Sequence, residues 1–185
     1  MKLIKIPAIN GLGKTNGCEL APDKIVAGLK DFYLNEDGML PIFDIEEAVV
    51  NKSNIEETNK NIYEKIKKAL KEAEQLVILG GDHSITYPCF KAFSETFNNA
   101  GLVIFDAHPD CMNNFKPATH EDFVKVLIED DKLKKENLIL VGLRNWHKDE
   151  YKFLISNKIK FFNMKEIASE NIFEVSESIM AVAKN

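Results

Sequence analysis

Two short segments carry the side chains that could do chemistry: Gly80-Gly81-Asp82-His83-Ser84 and Phe105-Asp106-Ala107-His108-Pro109-Asp110. Each follows an apolar run, at 76–79 and 102–105. Two histidines and three carboxylates therefore stand just past the ends of two candidate buried strands, where open α/β sheets hold their ligands. In the second segment, ligand-type residues recur at every second position. Side chains at i, i+2 and i+4 of an extended chain point to one side, so Asp106, His108 and Asp110 are expected to converge on one small volume. Buried unpaired carboxylates are costly, which favours metal binding over a salt-bridged loop. Carboxylates suit hard cations and imidazole suits transition metals; Mn²⁺ accepts both, and Zn²⁺, Co²⁺ and Ni²⁺ stay open. Several carboxylates also suit a pair of metals about 3.5–4 Å apart. The first segment is less specific. It reads as a glycine turn with a helix cap from Asp82 or Ser84, as a phosphate nest, or, from its place after a strand, as the source of a ligand in His83.

The elements that must position these residues alternate along the chain. Strand patterns at 3–6, 39–43, 76–79, 102–105, 138–141 and 159–162 are separated by helix patterns. Pro22 is expected to open a helix with an apolar stripe of Ile25, Val26, Leu29, Phe32 and Tyr33. Pro41 marks the second strand as an edge. Ser53-Asn54-Ile55-Glu56 matches a capping box, and the helix after it is expected to bury Ile62, Ile66, Leu70 and Ala73. Residues 85–97 read as a helix with Pro88 in its first turn. Phe123, Val124, Leu127 and Ile128 mark another, 151–155 a further one. Ile172, Val175, Ile179 and Met180 line the last, with Asn171 as its cap. Short apolar strands between amphipathic helices imply an α/β fold: a three-layer parallel sheet with helices on both faces, in a single domain over residues 1–185. The last helix has no strand after it, so the domain is expected to be incomplete at its C-terminus.

Composition narrows the function classes. Of 185 residues, 24 are Lys or Arg and 29 Asp or Glu, a formal net charge of −5. No basic block offers a footprint for nucleic acid. The Lys-rich stretch from Lys60 to Lys71 is interleaved with acids and reads as a solvated helix face. No apolar run approaches the roughly 18 residues of a membrane span. Cys18, Cys89 and Cys111 are scattered and read as reduced thiols of a cytoplasmic protein.

The two opening segments, in their order, resemble the signatures of the ureohydrolase family (arginase, agmatinase and relatives), and Gly17 to Ile25 is similar to that family's N-terminal segment. The resemblance runs over the whole chain. It implies an arginase-like fold and a binuclear Mn²⁺ hydrolase acting on a guanidinium or another amidine-like C–N bond. By position, His83, Asp106 and Asp110 would hold one metal. Asp106 and His108 would hold the other, with Asp106 bridging. His120 resembles the family histidine proposed as a proton shuttle; by itself it reads equally well as a helix-start histidine. The family's later Ser-x-Asp-x-Asp motif and its still later guanidinium-contacting glutamate are absent. Cys111-Met112-Asn113-Asn114 does not reproduce the segment with which arginases hold the amino-acid end of arginine. Agmatinase-like activity that releases urea, as in polyamine metabolism, is therefore expected ahead of arginase activity. A homo-oligomer is expected when the enzyme is complete. The family strands without counterpart here lie between the third and fourth strands present, so the sheet is expected to break or re-pair there. The isolated chain is then expected to have little activity.

Other residues carry weaker signals. Arg144 is expected to pair with a nearby carboxylate, with a substrate or subunit contact as its alternative. Trp146 reads as packing, His147 as exposed, and Glu46 and Glu47 as solvated loop charges. Cys111 is a weak candidate for a thiol ligand. Two other functions stay open: a different metallohydrolase such as a phosphoesterase, which lacks its usual Gly-Asn-His/Asp segment here, and a non-catalytic metal-binding or interaction module.

Overall fold

Runs of Ile, Leu, Val and Phe too short for helices form strands, and every strand pair among the described residues is parallel. The computed structural model describes residues 1–169 and 172–183. The chain packs as two units, Met1–Thr96 and Phe97–Asn185.

In the first unit the order is β1 (Lys2–Ile6), α1 (Ala21–Gly28), β2 (Asp44–Glu47), α2 (Ile55–Glu72), β3 (Leu76–Gly80) and α3 (Thr86–Ser94). The strands form a sheet ordered β2-β1-β3. Parallel neighbours need crossover connections, which the helices supply. Ile4 and Ile6 of the central strand pack with Ile62, Ile66 and Ala69 of α2 and with Ile85, Cys89 and Ala92. Burial pushes the Cys89 thiol up to about 12, because it penalises the thiolate.

Several expectations from the sequence do not hold in this unit. The second strand is Asp44–Glu47 and not 39–43. Its acids answer the lysines of β1: Lys2 Nζ bonds Glu46 Oε1 at 2.6 Å and also Glu72, while Lys5 Nζ lies 2.6 Å from Asp23 Oδ1 and 2.5 Å from Glu47 Oε2. Charge pairing across the sheet outweighs the apolar pattern, and Met39, Leu40 and Ile42 are exposed. Glu46 and Glu47 are thus strand residues and not loop charges. Lys2 and Lys65 together hold the Glu46 carboxyl down at about 2, from an ordinary 4.5. The stripe expected through Tyr33 fails as well. α1 stops at Gly28, a poor helix residue, and Ile25, Phe32 and Tyr33 face solvent, Tyr33 at 95% exposure. Pro22 is the second helical residue, and it is buried. The cap of α2 is Asn54 and not Ser53: Asn54 Oδ1 accepts the Glu57 N–H at 3.0 Å, while the Ser53 N–H is taken by Asn51 Oδ1. One turn later, Ala69 joins Ile62 and Ile66 in the core in place of Ala73, which lies just past the helix end. The helix expected over 85–97 is shorter: a 3-10 turn covers His83–Ile85 and α3 ends at Ser94.

The second unit runs β4 (Leu102–Phe105), α4 (Phe123–Glu129), β5 (Leu138–Leu143), α5 (Lys148–Ser156), β6 (Lys160–Asn163), α6 (Met164–Ser169) and α7 (Ile172–Ala183). Its sheet is ordered β4-β5-β6. β5 lies between the other two and is buried at five of six positions. Phe123, Val124, Leu127 and Ile128 present the expected apolar face of α4, and Val126 is buried as well. α6 is an element the periodicity did not announce. Asn163 and Glu166 cap it reciprocally, Asn163 Oδ1 accepting the Glu166 N–H and Glu166 Oε2 the Asn163 N–H, both at 2.9 Å. Asn171, expected to cap the last helix, lies outside the described residues. The third and fourth strands each stand at the end of their own sheet. No helix among the described residues is long and apolar enough to cross a membrane.

Candidate metal centre

The Gly80–Ser84 turn at the end of β3 is built by close backbone approach. A Cβ on Gly81 would stand 2.3 Å from the Ala8 carbonyl oxygen, so only glycine fits. The Gly81 N–H bonds Ile6 O and the Asp82 N–H bonds Ala8 O. Asp82 then gathers the turn. Its Oδ2 accepts the Asn10 N–H at 2.9 Å and the Thr15 hydroxyl at 2.7 Å, and its Oδ1 accepts the Ser84 N–H at 3.1 Å. The cap reading of Asp82 therefore holds, and this turn places His83 at the start of the 3-10 turn after β3.

In the second unit, β4 ends at Phe105 and the ligand segment follows. A carboxylate oxygen of Asp106 and one of Asp110 lie within 4.8 Å of each other. The expected cause, an extended chain presenting i, i+2 and i+4 on one side, is wrong. Asp110 has φ +51°, in the left-handed region, so the chain turns to bring Asp110 back towards Asp106. Aspartate is among the few non-glycine residues that enter that region readily. Asp110 is only 7% exposed. His108 sits beside Asp106 but turned outward: its N–H donates to Asp106 Oδ1 at 2.8 Å, its Nδ1 lies 3.4 Å from the same oxygen, and its side chain is 57% exposed.

The end of β5 ties this loop down. The Asp106 N–H bonds Val141 O, and the Arg144 and Asn145 N–H groups both bond Ala107 O at 3.0 Å. Gly142 takes φ +94°, where a Cβ would meet the Asp106 carbonyl oxygen at 3.3 Å. Arg144 departs from expectation. Its guanidinium reaches Gly142 O at 3.4 Å, and no ion pair with a carboxylate is formed among the described residues. Its backbone, not its charge, serves the loop. Arg144 also borders a cavity of about 750 Å³ that Asp106 and His108 share with apolar residues of α6 and α7. Trp146 is a packing residue as expected, 5.5 Å from Tyr151 and 5.9 Å from Phe161 between ring centres.

His120 precedes α4. Its Nε2 lies 3.4 Å from Glu121 Oε1, and its buried Nδ1 has no hydrogen-bond partner among the described residues. The turn that carries it is organised by Asp122, fully buried, whose oxygens accept the Phe115 N–H at 2.7 Å, the Thr119 N–H at 2.6 Å and the Thr119 hydroxyl at 2.8 Å. Neither Asp122 nor Glu150 was singled out from sequence. Thr119-x-x-Asp122 and His147-x-x-Glu150 have the spacing of local cap motifs, and that was the available signal. Cys111 is buried against α5, and burial, with Glu150 and Asp110 nearby, pushes its thiol far up, which disfavours the thiolate a metal would need.

The donor set fits a divalent cation: two converging carboxylates, one of them buried, with imidazole next to them. The comparisons with known proteins agree with that chemistry. A model of the arginase family matches residues 1–185. The chain belongs to the arginase family. It is 30% identical over 130 residues to an uncharacterized 32.2 kDa protein of Methanothermus fervidus, covering 69% of this chain and 44% of that protein. It is 27% identical over 211 residues to an arginase of Staphylococcus aureus, covering 99% of this chain and 70% of the enzyme. Among solved structures, formimidoylglutamase from Bacillus subtilis superposes with a TM-score of 0.85 at 22% identity, over 99% of this chain and 60% of that one. That likeness establishes the arginase-like α/β fold. This arginase-family chain therefore spans about half to two-thirds of the length of the proteins it matches.

Proposed function

We propose that the chain forms the metal-binding part of a hydrolase of guanidino compounds, agmatinase-like and releasing urea. The observation that carries this reading is the approach of Asp106 and Asp110 within 4.8 Å at the end of β4, with Asp110 buried. Two carboxylates so placed repel each other unless a cation lies between them. Oxygen donors with imidazole suit Mn²⁺. In the proposed assignment Asp106 and Asp110 hold one ion together with His83, which the Gly-Gly-Asp-His motif nominates. Asp106 and His108 hold a second, giving two Mn²⁺ per complete site. Bound ions supply Lewis acidity toward a guanidinium carbon and a water. His120, whose buried Nδ1 has no hydrogen-bond partner among the described residues, is assigned proton transfer to the leaving amine. The departure at Cys111–Asn114 from the arginase segment places agmatine ahead of arginine. Formimidoylglutamate is the comparison substrate, because a structural neighbour is a formimidoylglutamase. A cytoplasmic setting and a homo-oligomer complete the reading, the former in keeping with three unpaired cysteines.

The test measures Mn²⁺ binding to the chain, then urea release from agmatine and arginine and formamide release from formimidoylglutamate. Asp110→Asn should weaken Mn²⁺ binding at least tenfold. A chain that binds no Mn²⁺, or an Asp110→Asn variant that binds it as well as the parent, overturns the reading. Turnover of bis-nitrophenyl phosphate in preference to all three substrates would favour the phosphoesterase alternative.

A further inference from the structure

Glu150 is a buried acid, 7% exposed, whose carboxylate meets two backbone N–H groups. Its Oε1 accepts the Cys111 N–H at 3.2 Å and its Oε2 accepts the His147 N–H at 2.9 Å. The second bond belongs to the capping box of α5. The first does not. It reaches 39 residues back along the chain to the peptide that joins Asp110 to Cys111. The carbonyl of that same peptide, Asp110 O, accepts the Val124 N–H of α4 at 3.2 Å. One peptide plane is therefore clamped at both ends, by α5 on its N–H and by α4 on its C=O. Fixing that plane fixes ψ at Asp110 and holds the residue at φ +51°, the turn that returns its carboxylate to Asp106. An aspartate released from such a clamp relaxes toward the right-handed region.

We infer that Glu150 is a positioning residue for the ion pocket, holding Asp110 in the left-handed turn that its ligand role requires; the inference rests on the proposed metal site. A carboxylate suits the task because the two N–H groups approach different oxygens and each oxygen can accept one. Glutamine would offer one acceptor and turn its amide hydrogens toward the other donor.

The experiment compares Glu150→Ala and Glu150→Gln with Asn54→Ala, a helix-cap loss in the first unit. Two quantities are read on the full chain: the Mn²⁺ dissociation constant by electron paramagnetic resonance, and exchange of the Cys111 and Val124 amides by NMR. Glu150→Ala should weaken Mn²⁺ binding by about 10- to 100-fold, the usual effect of losing a group that orients a ligand. It should also open the Cys111 amide to exchange. Glu150→Gln should fall between, and it carries the reading if the alanine variant does not fold. Asn54→Ala should leave both quantities within about twofold. Parent-like Mn²⁺ affinity in both Glu150 variants overturns the inference, as does an unchanged Cys111 amide. If the parent chain binds no Mn²⁺, the metal reading falls by itself, and the amide measurement still decides whether Glu150 holds the turn.

Discussion

Replacing Asp82 by alanine removes the acceptor that closes the turn after β3. Four donors from three residues, the Asn10 and Ser84 N–H groups and the Thr15 and Ser84 hydroxyls, converge on its two oxygens. The Ser84 bond is a cap, and its loss costs about 1 kcal/mol. The Asn10 N–H and the Thr15 hydroxyl are part-buried and lose a charged acceptor, which costs about 1.5–3 kcal/mol more. The total, about 2.5–4 kcal/mol, is a large share of the 5–15 kcal/mol that typically holds a domain together. Asp82→Asn keeps one acceptor oxygen and should lose about half as much. Urea denaturation followed by circular dichroism gives the totals, and hydrogen exchange at Asn10 and Ser84 locates the loss. A cost below about 1 kcal/mol for Asp82→Ala, or an Asn10 amide as protected as in the parent, would refute the account of Asp82 as the organiser of this turn.

Gly142→Ala places a side chain at φ +94° and within 3.3 Å of the Asp106 carbonyl oxygen; thermal unfolding should show a loss of about 1–2 kcal/mol, and Mn²⁺ binding should weaken with it. Glu46 is held near 2 by Lys2 and Lys65 against an ordinary 4.5, so its contribution to stability is present above pH 4.5 and lost as pH falls toward 2. Acid titration followed by circular dichroism should therefore show less loss in that window for Glu46→Gln than for the parent. Of the three thiols, Cys18 is exposed and Cys89 and Cys111 are buried; a thiol-reactive chromophore at neutral pH should titrate one thiol in the native chain and three after unfolding, and rapid reaction of two or more in the native chain would contradict the packing.

The parts of the fold legible in the sequence were those with one dominant local cause. The strands after residues 76, 102 and 138 are apolar runs, and α4 has a clear stripe, so each was readable. The second strand was not, because its residues Asp44-Ile45-Glu46-Glu47 look polar until Lys2 and Lys5 of β1 are set beside them. α6 was missed because its signal is a capping pair, Asn163 and Glu166, and not a stripe. At the site, residue types named Asp106 and Asp110 correctly as neighbours. The expected cause, alternation along an extended strand, does not apply, since Asp110 itself takes φ +51°. Asp122 and Glu150 escaped notice because each acts on the main chain of a distant turn, a role that leaves no pattern of residue types.

That difference has a consequence for how the motif works. Asp106-Ala107-His108-Pro109-Asp110 supplies donors, but their geometry is imposed by three elements outside it. β5 holds Asp106 through Val141 O, the two residues just past β5 hold Ala107 through their N–H groups, α4 holds the Asp110 carbonyl through Val124, and α5 holds the next N–H through Glu150. Each anchor except the Glu150 carboxylate is a main-chain bond, so most substitutions at the anchoring residues other than Glu150 and Gly142 would leave it in place. Those two are the exceptions, one because its side chain is the acceptor and the other because its lack of a side chain permits the approach. A relative could therefore keep every residue of the motif and still lose the ion pocket through a change at either position, whereas changes at Arg144, whose side chain among the described residues bonds only Gly142 O, should leave the loop geometry intact.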